Sequence, residues 1–89
     1  MTFTEYDCWL RSIRVVPSNF RLRVGQHIVF VSENRTTAPD GYYQYRPELL
    51  DGVVTEIMRE NFQNTSYRVR LLDGSIIEVE RYQIVEVIH

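Results

Sequence analysis

The sequence predicts a single small, mainly β domain carrying one N-terminal α-helix, on three observations. Apolar residues recur at spacings of three and four near the start and then change to period two. The stretch YRVRLLDGSIIEVERYQI places two apolar-alternating runs around an Asp-Gly, and the chain closes on IVEVI, a β-branched run. Eighty-nine residues suit one core, since a chain of this size buries roughly 60–65% of its unfolded surface. The expected organisation is one domain, 1–89, with a helix and connection over 1–17 and the β part over 20–88.

In the first element, Thr2 stands three residues before Glu5, the spacing of a capping box. Phe3, Tyr6, Leu10 and Ile13 follow as an apolar stripe, widened by Trp9, and predict a helix of about three turns. Pro17, Ser18 and Asn19 break it. Phe20, Leu22 and Val24 alternate with Arg21 and Arg23, a strand or an extended approach, and after Gly25-Gln26 residues 27–31 form a definite strand. Residues 32–51 hold two prolines, an Asp-Gly and three tyrosines without a sustained period. A loop of that length in a small domain is uncommon unless it works, so it is the first candidate for the functional surface. Residues 52–58, GVVTEIM, read as the second strand, and 61–66 as a polar turn.

The register of the last hairpin follows from its faces. A two-residue Asp73-Gly74 turn would pair Val69 with Glu78 and Tyr67 with Glu80, setting glutamates on an apolar face. A three-residue loop of Leu72, Asp73 and Gly74, with Gly74 left-handed in a bulge, instead pairs Val69 with Ile77, Tyr67 with Val79 and Arg68 with Glu78. A slip of two, with Arg70 opposite Glu78 and Arg68 opposite Glu80, preserves the same faces.

A formal charge of −2 argues against a protein that coats nucleic acid by charge alone. All ten basic residues are arginine, and Arg11, Arg14, Arg21 and Arg23 face only Glu5 and Asp7 before Gly25. Cys8 is the only cysteine, so no internal disulfide forms and a reducing cytoplasm is expected. No apolar run reaches the roughly 18–20 residues of a membrane span. There is no metal-ligand spacing, no phosphate-cradling glycine loop and no nucleophile beside a base, so catalytic, cofactor and metal residues are all expected to be absent. His27 is expected to be solvated or hydrogen-bonded.

GQHIVF at 25–30, DGYY at 40–43, GVVTEI at 52–57, YRVRLLDG at 67–74 and Glu78-Val79 with a closing Ile84 carry a resemblance. Their order resembles SH3-like small barrels, above all the Tudor and KOW branch, over about residues 24–88. The resemblance implies a five-stranded SH3-like (Tudor/KOW-like) small barrel with the N-terminal helix packed across it. Its Tudor side implies an aromatic cage, for which Tyr42, Tyr43, Tyr45 and Phe62 are the available rings. The family passes from its Gly-Tyr-Tyr almost directly into the second strand, whereas residues 44–51 intervene here.

The leading functional reading is a non-enzymatic protein-binding module, with Arg35, Tyr42, Tyr43, Tyr45 and Arg46 as the contact residues, because tyrosine and arginine dominate interface hot spots. A free-standing module of this size suits an accessory or inhibitor of a larger enzyme, a phage-encoded host modulator included, acting as monomer or homodimer. The alternative is an RNA- or DNA-binding KOW-like barrel using Arg11, Arg14, Arg21 and Arg23.

Overall fold

A computed structural model describes residues 1–17, 19–59 and 65–89. Most of the expected turn at 61–66, with Phe62, lies outside the described residues. Helix α1 spans Phe3–Ile13, and both capping-box bonds form: the Glu5 amide donates to the Thr2 hydroxyl and the Thr2 amide to the Glu5 carboxylate. Those bonds hold the Glu5 carboxyl below its ordinary value.

Among the described residues seven strands follow: β1 His27–Ser32, β2 Thr36–Thr37, β3 Tyr43–Gln44, β4 Glu48–Arg59, β5 Thr65–Arg70, β6 Ile76–Glu80 and β7 Ile84–Ile88. Five form an antiparallel sheet in the order β6-β5-β4-β1-β7, while β2 and β3 pair separately. The last hairpin takes the three-residue loop, with Val69 opposite Ile77, Tyr67 opposite Val79 and Arg68 opposite Glu78. Gly74 has φ +89° and donates to the Leu71 carbonyl. The Asp73 carboxylate accepts from both the amide and the hydroxyl of Ser75, which keeps its pKa low.

Of three expectations, the first resolves to its extended-approach alternative and the other two are corrected. Residues 20–24 enter no ladder, because their bonds are spent locally: the Phe20 amide on the Pro17 carbonyl, the Arg23 amide on the Gln26 side chain and the Arg23 carbonyl on the Gln26 amide. Leu22 turns fully into the core, and Phe20 packs partly buried against it. Strand β4 begins at Glu48, four residues before Gly52, since Leu49, Leu50 and Asp51 extend the ladder with β1. The stretch between the paired tyrosine segment and β4 therefore shrinks to Tyr45, Arg46 and Pro47.

The third concerns closure. Strands β6 and β7 are the two edges, and no ladder joins them among the described residues, so the sheet is curled but is not a closed barrel. The curl is imposed by chain length. A 3-10 turn, Arg81–Gln83, is all that separates β6 from β7, and such a link spans at most about 14 Å. The edges of a flat sheet of this width would stand roughly 19 Å apart. The same turn diverts the chain away from β6, with Gln83 Nε2 donating to the Val31 carbonyl and β7 settling beside β1.

Two bulges place the side chains. Thr55 is the extra residue between the Val54–Val69 and Glu56–Arg68 pairs. Were Thr55 paired with Arg68 in a regular ladder, Glu56 would face Tyr67; with Thr55 bulged out Ile57 does, and Glu56 meets Arg68 outside at 3.1 Å. Val85 is skipped between Val29–Glu86 and Phe30–Ile84, and its carbonyl accepts from Val15 and Val16, covering part of the β7 edge.

The core has two parts. Inside the curl lie Leu22, Ile28, Phe30, Val54, Tyr67, Val69, Val79 and Ile84. On the opposite face Val31 and Val85 pack against Tyr6 and Leu10 of α1 and against Tyr45, with Trp9 half-buried at the margin. The helix therefore lies across the outer face of β1 and β7. No described helix is long and apolar enough to cross a membrane.

Candidate functional site

The segment between β1 and β4 is a built structure. Asn34, in the left-handed region at φ +47°, turns the chain away from β1 and its side-chain amide donates to the Arg46 carbonyl at 3.0 Å. The Arg46 amide donates in turn to the Glu33 carbonyl, so the base of the loop is closed by backbone. Above it β2 and β3 pair, and Asp40-Gly41 forms the turn between them, with Gly41 at φ +86° and the Asp40 carboxylate accepting from the Tyr42 amide.

This hairpin separates the tyrosines by role. Tyr42 is 74% exposed and Tyr43 49% exposed near its tip. Arg35 lies over the Tyr43 ring, its Cζ 4.3 Å from the centroid. A hydrogen bond with the Tyr45 side chain raises the Arg35 pKa further, so the hairpin carries a permanent charge beside two rings. Arg46 is exposed at the base.

Tyr45 requires a correction. It is 5% exposed, with its ring centroid 4.8 Å from that of Tyr6 and 6.0 Å from that of Phe3. It anchors the loop to α1 and is no freely exposed contact residue. Its amide also donates to the Met1 carbonyl at 2.7 Å. Among the described residues no ring contact joins Tyr42, Tyr43 and Tyr45, so these three do not assemble a common cage; Phe62 lies outside the described residues.

Below the hairpin a groove of about 620 Å³ runs between α1 and the loop. Tyr6, Arg14, Glu33, Arg35, Tyr45 and Tyr82 contribute to its walls. The Tyr82 hydroxyl donates to the Glu33 carboxylate and the Tyr82 carbonyl accepts from Arg14 Nη2, tying the 3-10 turn to both walls. Burial raises the Tyr82 and Tyr6 hydroxyl pKa values, and the Glu33 charge adds to both. The Tyr6 hydroxyl is buried without a hydrogen-bond partner.

The arginines of the first 24 residues do not form one stripe. Arg11 pairs with Asp7 at 3.1 Å, and both line the groove with Arg14. Arg21 and Arg23 line a different cavity. His27 Nε2 stands 2.6 Å from Asp51 Oδ2, on an exposed part of the sheet. Among the described residues no group of three His, Cys, Asp or Glu side chains comes together as metal ligands. Cys8 is an exposed free thiol.

Sequence reasoning missed Glu33 and Tyr82, which lie far apart in the chain and carry no periodic signal of meeting. No protein-family model, curated protein or solved structure matches the chain.

Proposed function

We propose that this chain is a non-enzymatic protein-binding module whose contact surface is the β2–β3 hairpin, with Tyr42 and Tyr43 as apolar anchors and Arg35 and Arg46 as charged flanks. The observation that carries the reading is two exposed tyrosines on a loop whose base is locked by the Asn34, Glu33 and Arg46 bonds. A surface of this kind loses little conformational entropy on binding, and tyrosine and arginine are the residues that dominate such contacts. The return of β7 beside β1 supports an SH3-like arrangement of the strands, with the YRVRLLDG hairpin as its Tudor/KOW-like part. The module's size favours an accessory or inhibitor of a larger enzyme, and its single free cysteine favours the cytoplasm.

The test is a triple substitution, Tyr42→Ala, Tyr43→Ala and Arg46→Ala, in a tagged protein used to capture partners from a cell lysate for mass spectrometry. Captured proteins should disappear while the unfolding free energy changes by no more than about 0.5 kcal/mol per site. Unchanged capture by the triple variant would remove the hairpin as the contact surface. Tyr45→Ala serves as the contrast: as a buried ring it should cost about 3–5 kcal/mol of stability.

A further inference from the structure

The groove between α1 and the loop, of about 620 Å³, is of a size that holds a small ligand. Its walls carry two polar atoms that no described residue satisfies. The Tyr6 hydroxyl and Arg14 Nε are both buried without a hydrogen-bond partner, and both side chains line the groove. Tyr6 is only 2% exposed, and its hydroxyl feels the charges of Glu33, Arg14 and Asp7, so it points in among the groove's polar groups. Buried donors left unpaired are costly, and one group that accepts from both recovers that cost.

Donors set against acceptors define that group. The Tyr6 hydroxyl keeps its proton at neutral pH, because burial and then Glu33 raise its pKa. Arg14 Nε can only donate. Arg14 Nη2 already donates to the Tyr82 carbonyl, which fixes the guanidinium plane. The groove's two acids are engaged, the Asp7 carboxylate with Arg11 at 3.1 Å and the Glu33 carboxylate with the Tyr82 hydroxyl. Among the described lining residues Arg11, Arg14 and Arg35 outnumber those two carboxylates by one charge. That excess suits a monoanion, whereas a phosphomonoester brings about −1.5 to −2. Phe3, Leu10 and the Tyr45 ring add apolar wall for the body of a ligand, and Phe3 is 63% exposed.

We propose that this groove binds a monoanionic carboxylate on an apolar body, with Arg14 Nε and the Tyr6 hydroxyl as its donors. The carboxylate comes either from a free organic acid or from the C-terminus of a peptide. Both donors lie below the groove's surface, so binding parts its walls by the side-chain rotations common on complex formation. Tyr42 and Tyr43 are not among the described lining residues, so this site stands apart from the contact role of the hairpin tip.

The whole chain, isotope-labelled, is titrated with phenylacetate, its neutral counterpart phenylacetamide and a short peptide ending in phenylalanine, while backbone amide shifts are followed. Saturable shifts are expected at Phe3, Tyr6, Arg14 and Tyr45, with phenylacetate at least about tenfold tighter than phenylacetamide. Tyr6→Phe keeps the ring, and Arg14→Lys keeps the charge but loses the fork; each should weaken phenylacetate by about five- to tenfold. The control Arg70→Gln removes an exposed charge elsewhere on the sheet and should leave affinity unchanged. A peptide that binds no tighter than phenylacetate identifies the free acid. One that binds more tightly, and loses the gain when its C-terminus is amidated, identifies the peptide end. Equal affinity for phenylacetate and phenylacetamide overturns the proposal, as does absence of saturation with every probe. So does native affinity in both variants while their urea midpoints are unchanged.

Discussion

Tyr6 and Tyr45 are ring neighbours, tilted against each other, in the outer core, yet their hydroxyls have different fates: Tyr45 meets Arg35 at the groove, while the Tyr6 hydroxyl is buried without a partner. A buried donor left unpaired is a cost that phenylalanine removes without changing the ring. Tyr6→Phe should therefore leave stability at pH 7 unchanged or raise it. The same residue sets an alkaline dependence. Its pKa is raised in the fold above the ordinary value of 10.0, so its contribution is fully present below pH 10.0 and is lost as the pH climbs beyond it. Thermal melts from pH 7 to 11 should fall less steeply above pH 10.0 in Tyr6→Phe than in the native chain. Some slope should remain, because Tyr82 is shifted in the same direction.

Among the elements, β4 carries the most constraint. It pairs with β1 on one side and β5 on the other, and its central Gly52 lies against both. A Cβ there would stand 2.6 Å from the Arg70 carbonyl oxygen and 2.6 Å from Val69 Cγ1. Gly52→Ala must therefore spread β4 from β5, at a cost of roughly 1–3 kcal/mol, readable as a lower midpoint in urea unfolding. Gly25, by contrast, has open space around its Cβ position and serves through its φ of +95° alone. The first glycine reports a close approach of strands and the second a turn. Only Gly52 stands against a β-branched run, where a single glycine marks a place at which backbone meets backbone.

At the scale of the whole molecule, α1 and the sheet share one outer core through Leu10, Val31, Tyr45 and Val85. Leu10→Ala should cost about 2–5 kcal/mol, and the loss should appear as one transition shared by Trp9 fluorescence and strand circular dichroism. Separate transitions would mean that the helix is an appendage. What the sequence by itself determined is local. Thr2 and Glu5 set the start of the helix, the stripe through Tyr6 and Leu10 set its buried face, and the need to keep Val69 and Val79 off the glutamate face set the register around Gly74. Each of these is a rule of spacing within one element or one hairpin, so it is written in neighbouring residues. The tertiary structure alone decided that Tyr45 is core while Tyr42 and Tyr43 are surface. The loop has no period, and only the arrival of α1 buries one ring of the three. It also decided that Glu48 already belongs to β4, because the ladder with β1 supplies the pairing that local propensity does not. It left the sheet curled without a closing ladder among the described residues, and it divided the N-terminal arginines between two cavities and brought Arg81 beside two of them. Those outcomes depend on which distant segments share a surface, and that is set by packing the whole chain around two faces of one sheet.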